Sequence, residues 1–167
     1  VLKLSKKEKI DAIIPYASDP AALTASYVGR KLNLHHNSIK AVSTMTNKFR
    51  FRNFLKKEKF NHPKFTKFTT LERAKSFFDK NEQKIVVKPV DSSGSKGVSI
   101  VTEKSKIKDS YLFAKKNSRS KEVILEEYIP NDAFQIAGDG YVLNGRLSFM
   151  ALAKENFKKK GMQVLPI

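Results

Sequence analysis

The sequence predicts an α+β chain, and three features carry that prediction. Two short apolar runs, Ile85-Val86-Val87-Lys88 and Val98-Ser99-Ile100-Val101, read as strands flanking a loop of small residues. From Lys64 the order continues as a compact α+β unit. It runs strand (Phe65 to Phe68), helix (capped by Thr70, with Leu71, Ala74, Phe77 and Phe78 on one face), strand, loop, strand, helix (Ser105 to Lys116), strand. Residues 134–151 then read as two long strands around Asn144-Gly145, one of the strongest short hairpin signals.

Ahead of this unit, Asp11-Ala12-Ile13-Ile14-Pro15-Tyr16 reads as a buried strand. Ser18 or Asp19 then caps a helix that carries Pro20 near its first position and runs towards Leu32. A further helix starts at Thr46 or Asn47 as N-cap, with Phe51, Phe54 and Leu55 on one face, and His62-Pro63 follows as a linker. Lys48 falls in that helix's first turn. A cation there opposes the helix dipole at a cost of roughly a few tenths of a kcal/mol unless an anion is near, and such a local conflict hints at function.

The loop itself, Ser92-Ser93-Gly94-Ser95-Lys96-Gly97, suits an anion. Its small residues leave backbone N–H groups uncovered, its glycines admit angles closed to other residues, and Lys88 and Lys96 supply charge on either side. Other glycine loops fit worse. The Walker pattern and the dinucleotide fingerprint both open a helix, whereas Gly97 leads into a strand. A protein kinase keeps its phosphate lysine on the strand after the loop, not before it. The bland alternative is a solvated hairpin turn with two surface lysines. Downstream, Val123-Ile124-Leu125-Glu126-Glu127-Tyr128-Ile129-Pro130 is an apolar strand ending in two acids and an aromatic. Such an end can offer backbone groups to an adenine edge and a carboxylate to its amine, although a solvated strand terminus is the commoner meaning of paired acids.

These pieces, in this order, resemble the ATP-grasp superfamily, most closely the branch of biotin carboxylase and the large chain of carbamoyl phosphate synthetase. The resemblance covers nearly the whole chain and implies a nucleotide-binding role for Lys48 (in Thr46-Asn47-Lys48), for Lys88, for the flap Ser92, Ser93, Gly94, Ser95, Lys96 and Gly97, and for the adenine hinge Glu126, Glu127, Tyr128 and Ile129. Tyr16 to Ala22 and Tyr27 to Leu34 look like the segment that leads into the grasp domain. The implied organisation is a pre-grasp region with linking helices over 1–62, a lid over 63–128 and the beginning of the large subdomain over 129–167. The implied activity is ATP-dependent ligation of a small-molecule carboxylate to an amine or thiol through an acylphosphate, with ATP between lid and large sheet and Mg2+ as cofactor. No catalytic residue is assigned.

Two departures accompany the resemblance. Many members hold the ribose hydroxyls with a glutamate shortly beyond the hinge, where this chain has Ala133, with Asp132 and Asp139 as the acids nearby. The family's metal ligands come later than this chain extends, and Glu155 and Asn156 are spaced wrongly for that motif, so no metal ligand is assigned. With Val1 first and no amino-terminal βαβ portion, the expectation is a middle part of a larger enzyme, inactive alone.

Composition bounds the partners. The 167 residues include 40% hydrophobic ones and 12 Phe, enough for one domain or two small ones. There is no cysteine, which excludes disulfides and thiolate metal sites, and His35, His36 and His62 show no ligand spacing. No apolar run reaches membrane length or signal-peptide form, so a cytoplasmic protein is expected. A formal charge of +17 attracts any polyanion. A nucleic-acid module ranks below the ligase, because the lysines are scattered and Phe49, Phe51 and Phe54 fall at helical spacing; the one low-complexity stretch is Lys158-Lys159-Lys160. A non-catalytic grasp-like domain is the other alternative, and self-association is left open.

Overall fold

A strand that buries every second side chain needs a core on one face only, and the run Ile85–Pro89 does so: Ile85, Val87 and Pro89 are buried, Val86 and Lys88 half-buried. The computed structural model describes residues 1–16, 18–130 and 135–155, and the chain forms two compact units, Val1–Tyr128 and Ile129–Ile167. In the first unit the elements are α1 (Leu2–Lys7), α2 (Asp19–Lys31), α3 (Ile39–Met45), α4 (Lys48–Lys57), β1 (Phe65–Lys67), α5 (Leu71–Asp79), β2 (Ile85–Pro89), β3 (Ser99–Val101), a 3-10 turn (Lys104–Lys106), α6 (Ile107–Asn117) and β4 (Val123–Glu127).

The four strands form one antiparallel sheet in the order β1-β4-β2-β3. One face, with Ile85, Val87, Val101, Val123 and Leu125, packs against α5 and α6 through Ala74, Phe78, Ile107 and Ala114. Full burial of each large apolar side chain stabilises by about 1.5–3 kcal/mol, so this layer holds the unit together. The register pairs Val86 with Glu126, Lys88 with Ile124 and Phe65 with Glu126, which sets these side chains on the opposite face.

Helices α4 and α5 start at their side-chain caps, while Ser18 precedes α2 without a side-chain cap bond. Thr70 accepts from the Arg73 N–H at 3.2 Å and Asn47 from the Arg50 N–H at 3.0 Å, as expected, with Lys48 as the first helical residue. Three expectations change. Asp11 to Tyr16 forms no strand, and Ile14 and Tyr16 are 76% and 87% exposed. No described strand pairs with this run, and Pro15 removes a ladder donor. Helices α1 and α3 arise where no helix is anticipated; α1 lacks a side-chain cap and an apolar stripe, and α3 is only 7 residues long. Helix α4 has no fully buried residue. Instead of a Phe51/Phe54/Leu55 core face, Phe54 is exposed, and Phe49 packs edge-on against Phe65 at 5.8 Å.

In the second unit, β5 (Gln135–Leu143) and β6 (Arg146–Glu155) form the expected hairpin. Asn144 (φ 50°) and Gly145 (φ 76°) occupy the left-handed positions that a tight two-residue turn requires. Asp139 lies on β5 opposite Ala151, while Asp132, Ala133, Asn156 and Lys158-Lys159-Lys160 fall outside the described residues.

The loop between β2 and β3 is tied down at its root. Asp91 accepts from the Ser118 hydroxyl at 2.8 Å and from the N–H groups of Arg119 and Ser120 at 3.0 and 2.8 Å, and the Arg119 guanidinium donates to the Asp91 carbonyl. Partial burial alone would raise the Asp91 pKa, but these donors together outweigh it and hold the carboxyl below its ordinary value. At the other root, a Cβ on Gly97 (φ 79°) would lie 2.7 Å from Asn117 Cβ and 3.1 Å from Pro89 Cγ, so only glycine fits there.

A carboxyl that titrates lower in the folded than in the unfolded chain stabilises fully above its unfolded pKa of about 3.9, and the effect is lost as pH falls through the lower folded value. Asp91→Asn should therefore lower the melting temperature near neutral pH, and the gap from wild type should close as the pH drops below about 3.9. Thermal unfolding between about pH 7 and pH 3 checks this; a gap independent of pH would assign the effect to shape rather than charge.

Candidate functional site

The sheet face turned away from α5 and α6 carries the polar chemistry. Helix α4 is anchored to it at β1 by the Phe49–Phe65 contact, which positions its first two turns. Lys48 and Arg52 lie one turn apart on that helix, so they project from the same side. Glu126 on β4 is 3% exposed. Its Oε1 accepts from Arg52 Nε at 2.8 Å and its Oε2 from Arg52 Nη2 at 3.4 Å, and Lys88 Nζ from β2 pairs with the same Oε2. Lys48 Nζ donates to the carbonyl oxygen of Ser92, and the Lys48 backbone N–H donates to Val90 O at 2.7 Å. Three cations thus converge on one buried carboxylate and the root of the flap.

Lys48 bears the electrostatic cost of this arrangement. Burial lowers its pKa, the neighbouring Lys88 lowers it further, and the attractions of Glu126, Asp91 and Asp19 only partly offset them. The positive end of the α4 dipole acts in the same sense. A cation whose charge is disfavoured in this way is relieved by an anion placed beside it.

The flap, residues 92–97, has left-handed backbone at Gly94 (φ 60°), Ser95 (φ 55°) and Gly97, and Lys96 is exposed near its tip. Ser92, Ser93 and Ser95 are half-buried. At the hinge, the ladder ends with the pair Ile85↔Glu127, and Tyr128 and Ile129 lie just past it. Glu127 accepts from the Lys64 N–H at 2.8 Å, and Lys84 Nζ stands 3.8 Å from the centre of the Tyr128 ring. Ile129, 62% exposed, is the first residue of the second unit.

Of the residues singled out from sequence, Lys48, Lys88, Ser92 and Glu126 come together. Glu127 and Tyr128 engage Lys64 and Lys84 instead, and Lys96 is exposed. The Glu126 oxygens, expected to face an adenine amine, are engaged by Arg52 and Lys88: Oε2 takes a donor from each, while Oε1 takes only Arg52 Nε and keeps a second lone pair for a further donor. Sequence reasoning missed Arg52, Asp91 and Arg119. The available signal for Arg52 was its spacing of one turn from Lys48, and for Asp91 its place beside the flap serines. Among the described residues no group of three or more His, Asp or Glu could hold a metal ion.

Comparison with known proteins agrees with this architecture. A family profile described as phosphoribosylglycinamide synthetase, ATP-grasp (A) domain, matches residues 46–160. Among curated proteins none matches the sequence. Among solved structures, L-amino acid ligase from Bacillus licheniformis is similar with a TM-score of 0.72 at 20% identity, over 97% of this chain and 37% of that one. D-alanyl-alanine synthetase A from Vibrio cholerae gives 0.69 at 15%, over 86% and 44%. The biotin carboxylase domain of 2-oxoglutarate carboxylase from Hydrogenobacter thermophilus, solved with MgADP, ADP and bicarbonate, gives 0.67 at 17%, over 77% and 30%. At these identities the likeness is one of fold, and the chain spans less than half the length of each of these proteins. Because the profile takes in the larger part of the chain, including the helix of Lys48, the flap and the hinge strand, the chain belongs to the ATP-grasp family.

Proposed function

We propose that this chain is the ATP-binding portion of a cytoplasmic ATP-dependent ligase that joins a small-molecule carboxylate to an amine or thiol through an acylphosphate. The observation that carries the proposal is the convergence of Lys48 and Lys88 at the root of the flap. Both ammonium groups are bound to protein oxygens by single contacts, and both can turn to a phosphate chain lying beneath the loop. Phosphoryl transfer asks the protein mainly for positioning and charge neutralisation, and these are what two lysines and a cradle of backbone N–H groups provide.

In the proposed cycle, Lys48 and Lys88 hold the phosphates while the flap excludes water. The γ-phosphoryl group passes to the substrate carboxylate, the bond to the β-phosphate breaks, and ADP leaves. The amine or thiol then attacks the acyl carbon and displaces phosphate. The hinge Glu126 to Ile129 would read the adenine edge. No described side chains form a metal cluster, so no step is assigned to magnesium on this part of the chain.

Calorimetric titration of ATP, GTP and tripolyphosphate, with magnesium at about 50 and then 300 mM salt, tests the reading. ATP should bind best and keep its preference at the higher salt, since base contacts are not screened. Equal binding of all three that vanishes with salt would reduce the lysines to a diffuse charge cloud and overturn the proposal.

Each lysine–phosphate contact is expected to contribute roughly 1.5–3 kcal/mol. Lys88→Ala should therefore weaken ATP binding by about ten- to a hundredfold, with GTP and tripolyphosphate affected alike. Lys48→Met should act in the same direction, with a melting temperature close to wild type, because the charge removed is one that burial disfavours. Unchanged ATP affinity in both variants would remove the flap from the nucleotide site.

A further inference from the structure

The geometry points to Arg52 as a positioning residue: it is the standing counter-ion of Glu126, and by holding that carboxylate it leaves Lys88 able to turn to a ligand phosphate. The inference rests on the phosphate-binding reading of Lys88 and adds a requirement that the reading alone does not contain.

Lys48 and Lys88 start from different positions. Lys48 donates to a neutral backbone carbonyl, that of Ser92, which lies at the flap's edge and is only half-buried. Turning from it costs one hydrogen bond. Lys88 is paired to Glu126, whose side chain is 4% exposed, and a buried carboxylate stripped of its partner is strongly unfavourable. If Lys88 were the sole partner of Glu126, the ion pair would hold the lysine against any phosphate, and the flap would lose one of its two cations.

Arg52 removes that obstacle. Its Nε and Nη2 reach the two different oxygens of Glu126, in the two-pronged geometry that a planar guanidinium makes and an ammonium cannot. Its own side chain is 20% exposed, and it leaves a helix whose position is fixed by Phe49 on Phe65. The carboxylate therefore stays neutralised and hydrogen-bonded when Lys88 departs. Arg52 need not touch the nucleotide; its effect passes through Glu126 to Lys88.

The inference predicts coupling, which a double-mutant cycle on this chain measures, with tripolyphosphate as the probe so that adenine contacts do not enter. In wild type, Lys88→Met should weaken tripolyphosphate binding by about tenfold or more, as for a close charge pair. In the Arg52→Met background, where Lys88 is held by Glu126, binding is already weak and Lys88→Met should change it by less than about twofold. Adding Glu126→Gln to Arg52→Met releases the lysine and should restore the full Lys88 effect.

Simple loss of positive charge would not give this pattern, because Lys88→Met would then cost the same in both backgrounds. Arg52→Met leaves Glu126 paired with Lys88 and so retains a folded sheet, which thermal unfolding verifies. Arg52→Lys, which keeps the charge but not the two-pronged contact, repeats the cycle in a still safer background and should shrink the Lys88 effect part of the way. Additive effects of Arg52→Met and Lys88→Met, or no recovery with Glu126→Gln, would overturn the inference while leaving the phosphate role of Lys88 intact. A wild-type chain indifferent to Lys88→Met would overturn both.

Discussion

The carboxylate of Glu126 is the constraint around which the first unit is arranged. It sits on β4, between β1 and β2, where four successive residues, Val123 to Glu126, are buried, and it is the acidic one among them. A charge in that position must be compensated by groups brought from outside the strand, and losing one partner of a buried pair costs about 3–5 kcal/mol. The compensation comes from two directions, Lys88 along the sheet and Arg52 from α4. The Arg52 bridge thus adds to the Phe49–Phe65 contact in docking α4 on the sheet, and Lys88 meets the same acid from the face that the strand register sets. A well-packed apolar residue at this place would need no such compensation.

The flap follows a complementary logic. Its roots are rigidly held, by the Asp91 contacts with the Ser118 to Ser120 loop and by the close approach of Gly97 to Asn117 and Pro89. Between the roots lie small residues and three left-handed positions, a composition and backbone suited to a concave anion-binding turn. Fixing the ends lowers the conformational entropy that closing over a ligand would remove. Lys48 joins the two systems, since its backbone binds Val90 and its side chain binds Ser92.

What could be read from the sequence was whatever is local. The flap between two apolar runs, the Asn47 and Thr70 caps and the Asn144-Gly145 turn depend on neighbours a few residues apart, and each appears where its pattern predicts. Lys48, Lys88 and Glu126 stand out in the sequence because each lies near the start or end of a recognisable element, and the structure places Lys88 on Glu126 and Lys48 on Ser92. The pairing of Arg52 with Glu126 was not, for it joins residues 74 positions apart, and an arginine in a basic helix carries no mark of which partner it will meet. Asp91 was hidden in a similar way, 27 positions from Ser118 and 29 from Ser120. The failed strand at Asp11 to Tyr16 shows the converse: an apolar run has strand potential, but a strand exists only where another edge accepts its hydrogen bonds. Helices α1 and α3 are too short and too weakly patterned for periodicity to reveal them.

The net charge of +17 invites the view that any anion would bind anywhere. Burial decides against treating all these cations alike. Pairs such as Lys104–Asp79 are roughly half exposed, so water and salt screen them and their energy is small. Lys88 and Arg52 are only 17% and 20% exposed and share a nearly buried acid, and Lys48 is buried enough for its charged form to be disfavoured. In that environment the same unit charge acts through a lower effective dielectric, and its interaction with a phosphate is several times stronger than at the surface. The basic surface would then raise the encounter rate for anions in general, whereas selection among them would fall to three side chains and one loop.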